Sequence, residues 1–306
     1  MEEISNIVHN KHLPLLVDEA SGAHFNFHPS LPASAIERAD IVVQSTHKTI
    51  GSLTQSSMLH IGKKSNISEE KIRSYIQLLQ SSSPSSLLVM SLDAARQQMA
   101  THGFNLLSET LQLARYARRE INSMGTYICY GREVVGTDDI TDMDETKLLI
   151  DVSQSGYSGY EFEKLLGRNY RIEVEMSDIR HILCYLTFGD SRKEVDRLIG
   201  ALKEIREHQD KPKSSPIEIP PLSPLPEVIL TPREAFFAGN KEVPLRESIG
   251  SICAEFVIAF PPDIPILVPG EKITEEVVAY IMRLKRNSMI TVGMQDPSSD
   301  IFLVVK

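Results

Sequence analysis

Two short stretches, LPLLVDEA (residues 13–20) and IVVQSTHK (residues 41–48), carry the pattern that decides the fold. Each is a continuous apolar run that ends in polar residues, as in a strand buried on both faces of a mostly parallel sheet. In α/β sheets of this kind, ligands bind at the carboxyl ends of the strands. The pattern therefore predicts that Asp18 and Lys48 stand where a ligand would bind.

An aspartate and a lysine that follow two such strands suggest a pyridoxal-phosphate enzyme. In that chemistry the lysine holds the cofactor as a Schiff base. The aspartate keeps the pyridine nitrogen protonated, so that the ring accepts electrons from a substrate carbanion. Alone, Asp18 is better explained as a turn or helix-capping residue, and Lys48 as a surface lysine. Their combination favours the cofactor interpretation.

Longer segments around these residues resemble the ornithine/lysine/arginine decarboxylases, which are bacterial-type enzymes related in fold to aspartate aminotransferase. The matching segments follow the family's order over nearly all of the chain: LVDEASGAHF (16–25), QSTHKT (44–49), LTQSSM (53–58), SSSPS (81–85), SLDAAR (91–96) and PPDIPILVPGE (261–271). The resemblance implies an α/β, aspartate-aminotransferase-like fold with pyridoxal 5'-phosphate as cofactor. It also implies decarboxylation of arginine, lysine or ornithine, in the chemistry of polyamine biosynthesis.

The same resemblance implies roles for further polar residues. Ser45 and His47 match residues that contact the cofactor phosphate, and a hydroxyl and an imidazole N–H can both donate to a phosphate dianion. Ser81 and Ser82 match a hydroxyl-rich turn that reaches the cofactor phosphate of the neighbouring subunit. Helix termination before Pro84 explains these two serines equally well.

Two glutamates are candidates for contact with the distal cationic group of the substrate. Glu255 and Glu271 resemble acidic residues of the family's terminal domain, although a surface role is the simpler explanation for each. The chain also departs from the family pattern. Ser21 stands where many members have His or Trp beside the cofactor's phenolic oxygen, and Phe260 and Asp263 replace Tyr and Gly of a Tyr-Pro-Pro-Gly pattern. These departures count against full activity.

In the family, a substantial segment precedes the aspartate strand and carries the phosphate loop and the side chain that stacks on the ring. Here only a helix-like stretch, Glu2 to Asn10, precedes that strand, so we expect the C-terminal part of a family member. Such a chain is expected to bind the cofactor weakly by itself. The alternative is a non-catalytic pseudoenzyme or partner subunit. An aminotransferase is a third possibility, which the segment 261–271 disfavours. The intact form is expected to be a homodimer or a higher homo-oligomer.

Composition and periodicity divide the chain into four predicted parts. These are the remainder of the large cofactor-binding domain (1–145), a small α/β domain (146–210), a proline-rich linker (211–230) and a C-terminal α+β decarboxylase domain (231–306). Strands are predicted at Leu13–Val17, Ile41–Gln44, Ser57–Ile61, Lys147–Val152, Ile172–Glu175 and Ile182–Thr187. Helices are predicted at about Ser86–Arg119, Ser158–Leu166, Ser191–Glu207 and Thr274–Arg286, the last two with apolar residues at helical spacing.

The formal net charge of −9 argues against nucleic acid or an anionic membrane as the main partner. No apolar run is long enough to span a bilayer, and the N-terminus lacks the features of a signal peptide, so a cytoplasmic location is expected. The three cysteines, Cys129, Cys184 and Cys253, are odd in number and far apart. Their spacing predicts neither a disulfide framework nor a metal site, and small core residues explain them better.

Overall fold

The structure of the protein, a computed structural model, describes residues 1–63, 65–137, 139–208, 225–260, 264–286 and 290–306. Most of the predicted linker 211–230 and the residues 261–263 therefore lie outside the described residues. The chain forms two compact units. The first unit comprises Met1–Glu120, Tyr130–Leu148 and Tyr185–Ile199, and the second comprises Ile121–Cys129, Leu149–Cys184 and Gly200–Lys306.

Helices and strands alternate along most of the described chain. The α-helices are α1 (Glu2–Asn10), α2 (Thr46–Thr49), α3 (Glu69–Leu79), α4 (Ser86–Asn122), α5 (Gly159–Leu165), α6 (Arg192–Glu207), α7 (Pro232–Phe237) and α8 (Glu275–Arg286). The strands are β1 (Leu16–Asp18), β2 (Ile41–Gln44), β3 (Met58–Ile61), β4 (Ile128–Cys129), β5 (Lys147–Asp151), β6 (Met176–Ser177), β7 (His181–Tyr185), β8 (Asn240–Pro244), β9 (Val257–Phe260), β10 (Ile264–Leu267), β11 (Ile290–Val292) and β12 (Ile301–Val305).

The first unit contains a three-stranded sheet in the order β1-β2-β3. Strands β1 and β2 are parallel, with Asp18 opposite Val43, and β3 runs antiparallel to β2. Strand β1 begins later than the predicted Leu13–Val17, because the Leu15 amide donates to the Asp40 carboxylate instead of to a strand. The parallel pair brings the carboxyl ends of β1 and β2 to the same edge.

The two faces of this sheet differ in burial. On one face Val42 is buried with Ala35 and Ala39 in a small apolar cluster. On the other face large apolar side chains remain exposed, 62% in Leu16 and 42% in Leu59. The expectation that both faces are covered is therefore wrong for the described residues, in which one apolar face meets solvent.

Helix α4 is the longest element of the chain, with 37 residues. It begins directly after Ser85 and extends to Asn122, three residues beyond the predicted end at about Arg119. Its apolar side packs in the first unit, where buried residues of the helix meet residues of the loops around the sheet: Met99, Leu107, Leu111, Ala23, Leu31 and Ile50. This packing supports the loop that follows β1.

A four-stranded sheet, with most of its residues in the second unit, has the order β4-β5-β7-β6. The predicted strand Ile172–Glu175 is wrong. The Ile172 amide donates to the Leu166 carbonyl and so ends the preceding helical turn, and Arg171 adopts a left-handed backbone conformation with φ of 54°. Sheet pairing starts only at Glu175, whose amide donates to the Leu183 carbonyl.

The C-terminal part of the second unit has its own core. Strands β9, β10 and β11 form one sheet in the order β10-β9-β11, and β8 pairs with β12. Helix α8 confirms the predicted amphipathic helix, and its buried face packs against residues that include Leu267 and Phe302. Among the helices of the described residues, none has the length and apolar character that crossing a membrane requires.

We predict that the chain self-associates through the exposed face of the β1-β2-β3 sheet, because open apolar surface and unpaired edges favour association. Replacing Leu16 or Leu59 with Glu should weaken the association constant roughly tenfold each, the scale of one buried leucine. Sedimentation velocity over a range of concentrations measures this. Leu78→Glu, on helix α3, is the control, since Leu78 is also exposed. A larger effect in the control would locate the contact on α3 instead.

Candidate active site

Asp18 and Lys48 belong to neighbouring elements at one edge of the first-unit sheet. Asp18 is the last residue of β1, while β2 continues through Ser45 into the short helix α2, which contains Lys48. Two backbone hydrogen bonds hold these segments side by side, from the Glu19 amide to the Val43 carbonyl at 2.9 Å and from the Ser45 amide to the Ala20 carbonyl at 3.2 Å. The fold thus brings together the two segments that the sequence predicts to work together.

The candidate groups at this edge remain available to a ligand. Lys48 is exposed, and its ammonium group has no hydrogen bond or ion pair with any described residue. The Ser45 hydroxyl likewise makes no capping bond to helix α2. Asp18 is exposed, and its Oδ1 atom accepts a hydrogen bond from the Ala20 amide at 3.0 Å, which fixes the orientation of the carboxylate. One oriented carboxylate and two groups without internal partners are what a bound cofactor would need.

His47 is held by its own loop. Its Nδ1 atom lies 2.8 Å from the Ser56 carbonyl oxygen, so Nδ1 carries the proton and donates it. The Nε2 atom then donates to a phosphate only when the ring is protonated, because the neutral ring has a single N–H. The Ser56 carbonyl therefore takes up the one N–H that the neutral ring of His47 offers.

The carboxylate of Glu19, the residue after Asp18, stabilises the segment that carries the candidate site. Glu19 accepts hydrogen bonds from the Ser34 hydroxyl at 2.7 Å, the Ala35 amide at 2.8 Å and the Gln44 side-chain amide at 2.5 Å. Gln44 in turn lies 3.1 Å from His60 Nε2 on β3. This network joins the end of β1 to both other strands. The Glu19 carboxylate is engaged by three groups of the fold, whereas the Asp18 carboxylate accepts the bond from the Ala20 amide.

A polar cluster that no sequence pattern indicates lies next to this loop. His24 is only 2% exposed, and its Nε2 atom lies 3.1 Å from the Asp144 carboxylate. Lys147 Nζ lies 3.0 Å from the same carboxylate, and the Thr146 hydroxyl donates to it at 2.7 Å. Burial raises the pKa of Asp144, but the hydrogen bond with His24 and the charge of Lys147 lower it more, so the pKa lies well below its usual value.

The remaining candidates lie elsewhere in the chain. Ser81 and Ser82 are exposed in the connection between α3 and α4, and the Ser81 hydroxyl accepts from the Ser83 amide at 3.1 Å. This position fits helix termination. A contact with a neighbouring subunit stays a prediction.

Glu255 and Glu271 lie in the second unit, and both carboxylates bind backbone amides. Glu255 is buried and accepts from the Gln295 and Leu303 amides, each at 2.8 Å. Glu271 accepts from the Val268 amide at 2.8 Å. These bonds give both residues a structural role, and contact with a substrate stays a prediction.

The three cysteines are buried and unbridged, as predicted. Burial raises the pKa of the Cys184 and Cys253 thiols to about 12. Because the thiolate is the reactive form, both are inert core residues.

Comparison with known protein families shows which family the chain belongs to. The profile described as "Orn/Lys/Arg decarboxylase, major domain" matches residues 1–194, and the profile described as "Orn/Lys/Arg decarboxylase, C-terminal domain" matches residues 221–293. The chain belongs to the Orn/Lys/Arg decarboxylase family. The major-domain match contains the whole edge formed by Asp18, Ser45, His47 and Lys48.

Curated members of the Orn/Lys/Arg decarboxylase family align with the whole chain. Arginine decarboxylase of Halalkalibacterium halodurans is 41% identical over 311 residues, covering 100% of this chain and 62% of that protein. Arginine decarboxylase of Bacillus subtilis is 40% identical over 308 residues, covering 100% of this chain and 63% of that protein. The chain thus spans about three fifths of the length of these relatives.

Solved structures of the Orn/Lys/Arg decarboxylase family share the fold. The Francisella novicida lysine decarboxylase LdcF superposes with a TM-score of 0.76 at 23% identity, covering 95% of this chain and 53% of that chain. The constitutive lysine decarboxylase of E. coli gives a TM-score of 0.77 at 18% identity, covering 96% of this chain and 55% of that chain. These similarities confirm the expected α/β, aspartate-aminotransferase-like class of fold.

The Asp144 cluster predicts how the stability of the fold depends on pH. A carboxyl group whose pKa is lower in the folded than in the unfolded state stabilises the fold above its unfolded pKa. That contribution is lost as the pH falls, here progressively below about pH 5. Asp144→Asn should lower the free energy of unfolding at pH 7 by about 3 kcal/mol, the scale of breaking a buried ion pair. It should also reduce the loss of stability between pH 6 and pH 3.

Chemical denaturation at each pH measures both effects. Asp142→Asn is the matched control, because Asp142 pairs with Arg132 and both side chains are largely exposed. An exposed pair contributes at most about 1 kcal/mol. Equal losses in the two variants would show that the buried cluster has no special role.

Proposed function

We propose that the chain provides the lysine and the aspartate of a pyridoxal-phosphate-dependent decarboxylase that converts a basic amino acid to its amine and carbon dioxide. The observation that supports this is the placement of Asp18 and Lys48 at the carboxyl ends of adjacent parallel strands. In α/β sheets, ligands bind at this edge. Membership of the Orn/Lys/Arg decarboxylase family gives the reaction class.

The residues present fit the cofactor. Lys48 has an ammonium group without internal partners among the described residues, as covalent attachment requires. Asp18 offers a carboxylate for the proton of a pyridine nitrogen, and Ser45 and protonated His47 offer donors for a phosphate. When bound, pyridoxal phosphate supplies an electron-accepting ring that stabilises negative charge on the substrate α-carbon.

Each residue then has one task in the proposed reaction. Lys48 would hold the cofactor through Nζ. Asp18 would favour a proton on the ring nitrogen, since a nearby carboxylate favours a protonated cation. Ser45 and His47 would hold the phosphate end. The short helix α2 sets the spacing between Ser45 and Lys48.

Arginine is the substrate we propose. Curated relatives with 38 to 41% identity over the full chain are named arginine decarboxylase. The constitutive lysine decarboxylase of E. coli is 22% identical over 76% of this chain. Comparing carbon dioxide release from arginine, lysine and ornithine tests the choice. The acting form is proposed to be a homodimer or a higher homo-oligomer.

A non-catalytic role is the competing proposal. The observation that favours it is Ser21, which is shorter than the His or Trp expected there from the resemblance. The two proposals differ in whether the cofactor becomes attached to Lys48, which the next experiment measures.

We predict that borohydride reduction in saturating pyridoxal phosphate fixes the cofactor on Lys48. Lys48→Ala should abolish this labelling, because Lys48 is the lysine that follows β2, next to the segment of Asp18. Peptide mapping by mass spectrometry identifies the labelled lysine. Lys71→Ala, an exposed lysine of helix α3, is the matched control and should retain full labelling. Label on another lysine in the unsubstituted chain would end the assignment.

Asp18→Asn should preserve the fold but weaken the function. The amide cannot balance the charge of a protonated ring nitrogen. Arginine decarboxylation is therefore expected to fall roughly a hundredfold or more, the scale of a lost charge-assisted partner. Initial rates of carbon dioxide release measure the effect of the substitution on the reaction. The thermal unfolding midpoint measures its effect on the stability of the fold. Asp93→Asn, in an exposed pair with Arg96, is the control. Unchanged rates in Asp18→Asn would contradict the role.

A further inference from the structure

A hydrogen bond within the first unit links the loop after Asp18 to Tyr185, the last residue of β7. The Ser21 hydroxyl lies 3.0 Å from the Tyr185 hydroxyl. The Tyr185 ring in turn lies against a cation, with Lys147 Nζ 4.3 Å from the ring centroid. A cation over an aromatic face is attracted by the ring quadrupole and restricts the ring's position. The Tyr185 ring therefore contacts Lys147, and its hydroxyl group contacts Ser21.

Lys147 is itself fixed by the buried cluster. Its Nζ atom pairs with Asp144 at 3.0 Å, and Asp144 pairs with His24 at 3.1 Å. Because Ser21 and His24 belong to the same loop, the loop is attached twice to one connected set of polar groups. A closed arrangement of this kind restricts the loop more than either bond alone, since linked hydrogen bonds strengthen one another.

Ser21 is close in sequence to both halves of the candidate site. The preceding residue, Ala20, donates its amide to the Asp18 carboxylate and accepts the Ser45 amide at its carbonyl. Ser21 therefore follows directly on the residue that joins the aspartate strand to the segment of Lys48. A polar side chain here stands at the rim of the edge where the cofactor is proposed to bind.

We propose that Tyr185 is a positioning residue that orients the Ser21 hydroxyl toward the ring oxygen of bound pyridoxal phosphate. A serine hydroxyl alone rotates freely and is short. When Tyr185 donates to it, the serine's own proton is directed outward and becomes a donor for a second acceptor. The pair thereby extends the reach of the short side chain at this position. The inference rests on the proposed function of Asp18 and Lys48.

The test uses Tyr185→Phe, which removes one oxygen atom and keeps the ring over Lys147. With saturating pyridoxal phosphate, the visible absorbance of the bound cofactor is recorded against pH. A donor to the ring oxygen favours its deprotonated form, so losing the donor should raise the midpoint by roughly 0.5 to 1 pH unit, the scale of one hydrogen bond. Ser21→Ala should give the same shift, and the double variant no more, because the two residues act as one unit.

A second measurement needs no cofactor. The Gly22 and Phe25 amides are hydrogen-bonded inside the loop, to the carbonyls of Glu19 and Gly22. In Tyr185→Phe their hydrogen exchange should quicken by roughly two- to tenfold, because one loop attachment is lost. Tyr75→Phe, an exposed tyrosine of helix α3, is the control for both measurements and should change neither.

The outcomes distinguish a failure of the proposed role of Tyr185 from a failure of the proposed function. If borohydride fixes no cofactor on Lys48, the proposed function fails and this inference fails with it. If Lys48 is labelled and Tyr185→Phe leaves the absorbance midpoint unchanged, the inference alone is overturned. A shift in Tyr185→Phe without one in Ser21→Ala would overturn the orienting role, because Tyr185 would then act without Ser21. Equal, non-additive shifts with faster exchange support it.

Discussion

The parallel pairing of β1 with β2 is the constraint on which the rest of the candidate site depends. Parallel strands end at the same edge, so the residues that follow them lie close together whatever their distance in sequence. Here the pairing sets Asp18 opposite Val43, and the bond between Ser45 and Ala20 extends the alignment past both strands. A register shift of one residue would turn Asp18 to the other face of the sheet and separate it from the lysine segment.

This alignment needs support, because a three-residue strand offers few backbone bonds of its own. Glu19 supplies that support through three hydrogen bonds that reach Ser34, Ala35 and Gln44. Removing a partner from a part-buried carboxylate leaves a desolvated charge, which costs more than the bond contributes. The two adjacent acidic residues therefore have different roles. Glu19 stabilises the strand alignment, and Asp18 is the residue proposed to contact a ligand.

The sequence predicts this edge well because its information is local. Apolar runs mark β1 and β2, and the polar residues at their carboxyl ends are the candidate groups. Prediction fails where a particular hydrogen bond, and not the local residue pattern, decides the outcome. Ile172–Glu175 has strand-like alternation, but the bond from Ile172 to Leu166 completes a helical turn instead. The pair of Ser21 and Tyr185 spans 164 residues, and no pattern around either residue indicates the other.

The distribution of satisfied and unsatisfied polar groups distinguishes residues with a structural role from the residues proposed to bind a ligand. Buried acids such as Asp144 and Glu255 have their oxygen atoms engaged by cations or backbone amides, and this engagement is what allows their burial. Lys48 and the Ser45 hydroxyl have no such partner among the residues that the structure describes. Solvent alone would satisfy isolated surface groups equally well. Their meeting at one strand edge, next to an oriented aspartate, is the feature on which the proposed binding of a phosphate-bearing, lysine-attached ligand rests.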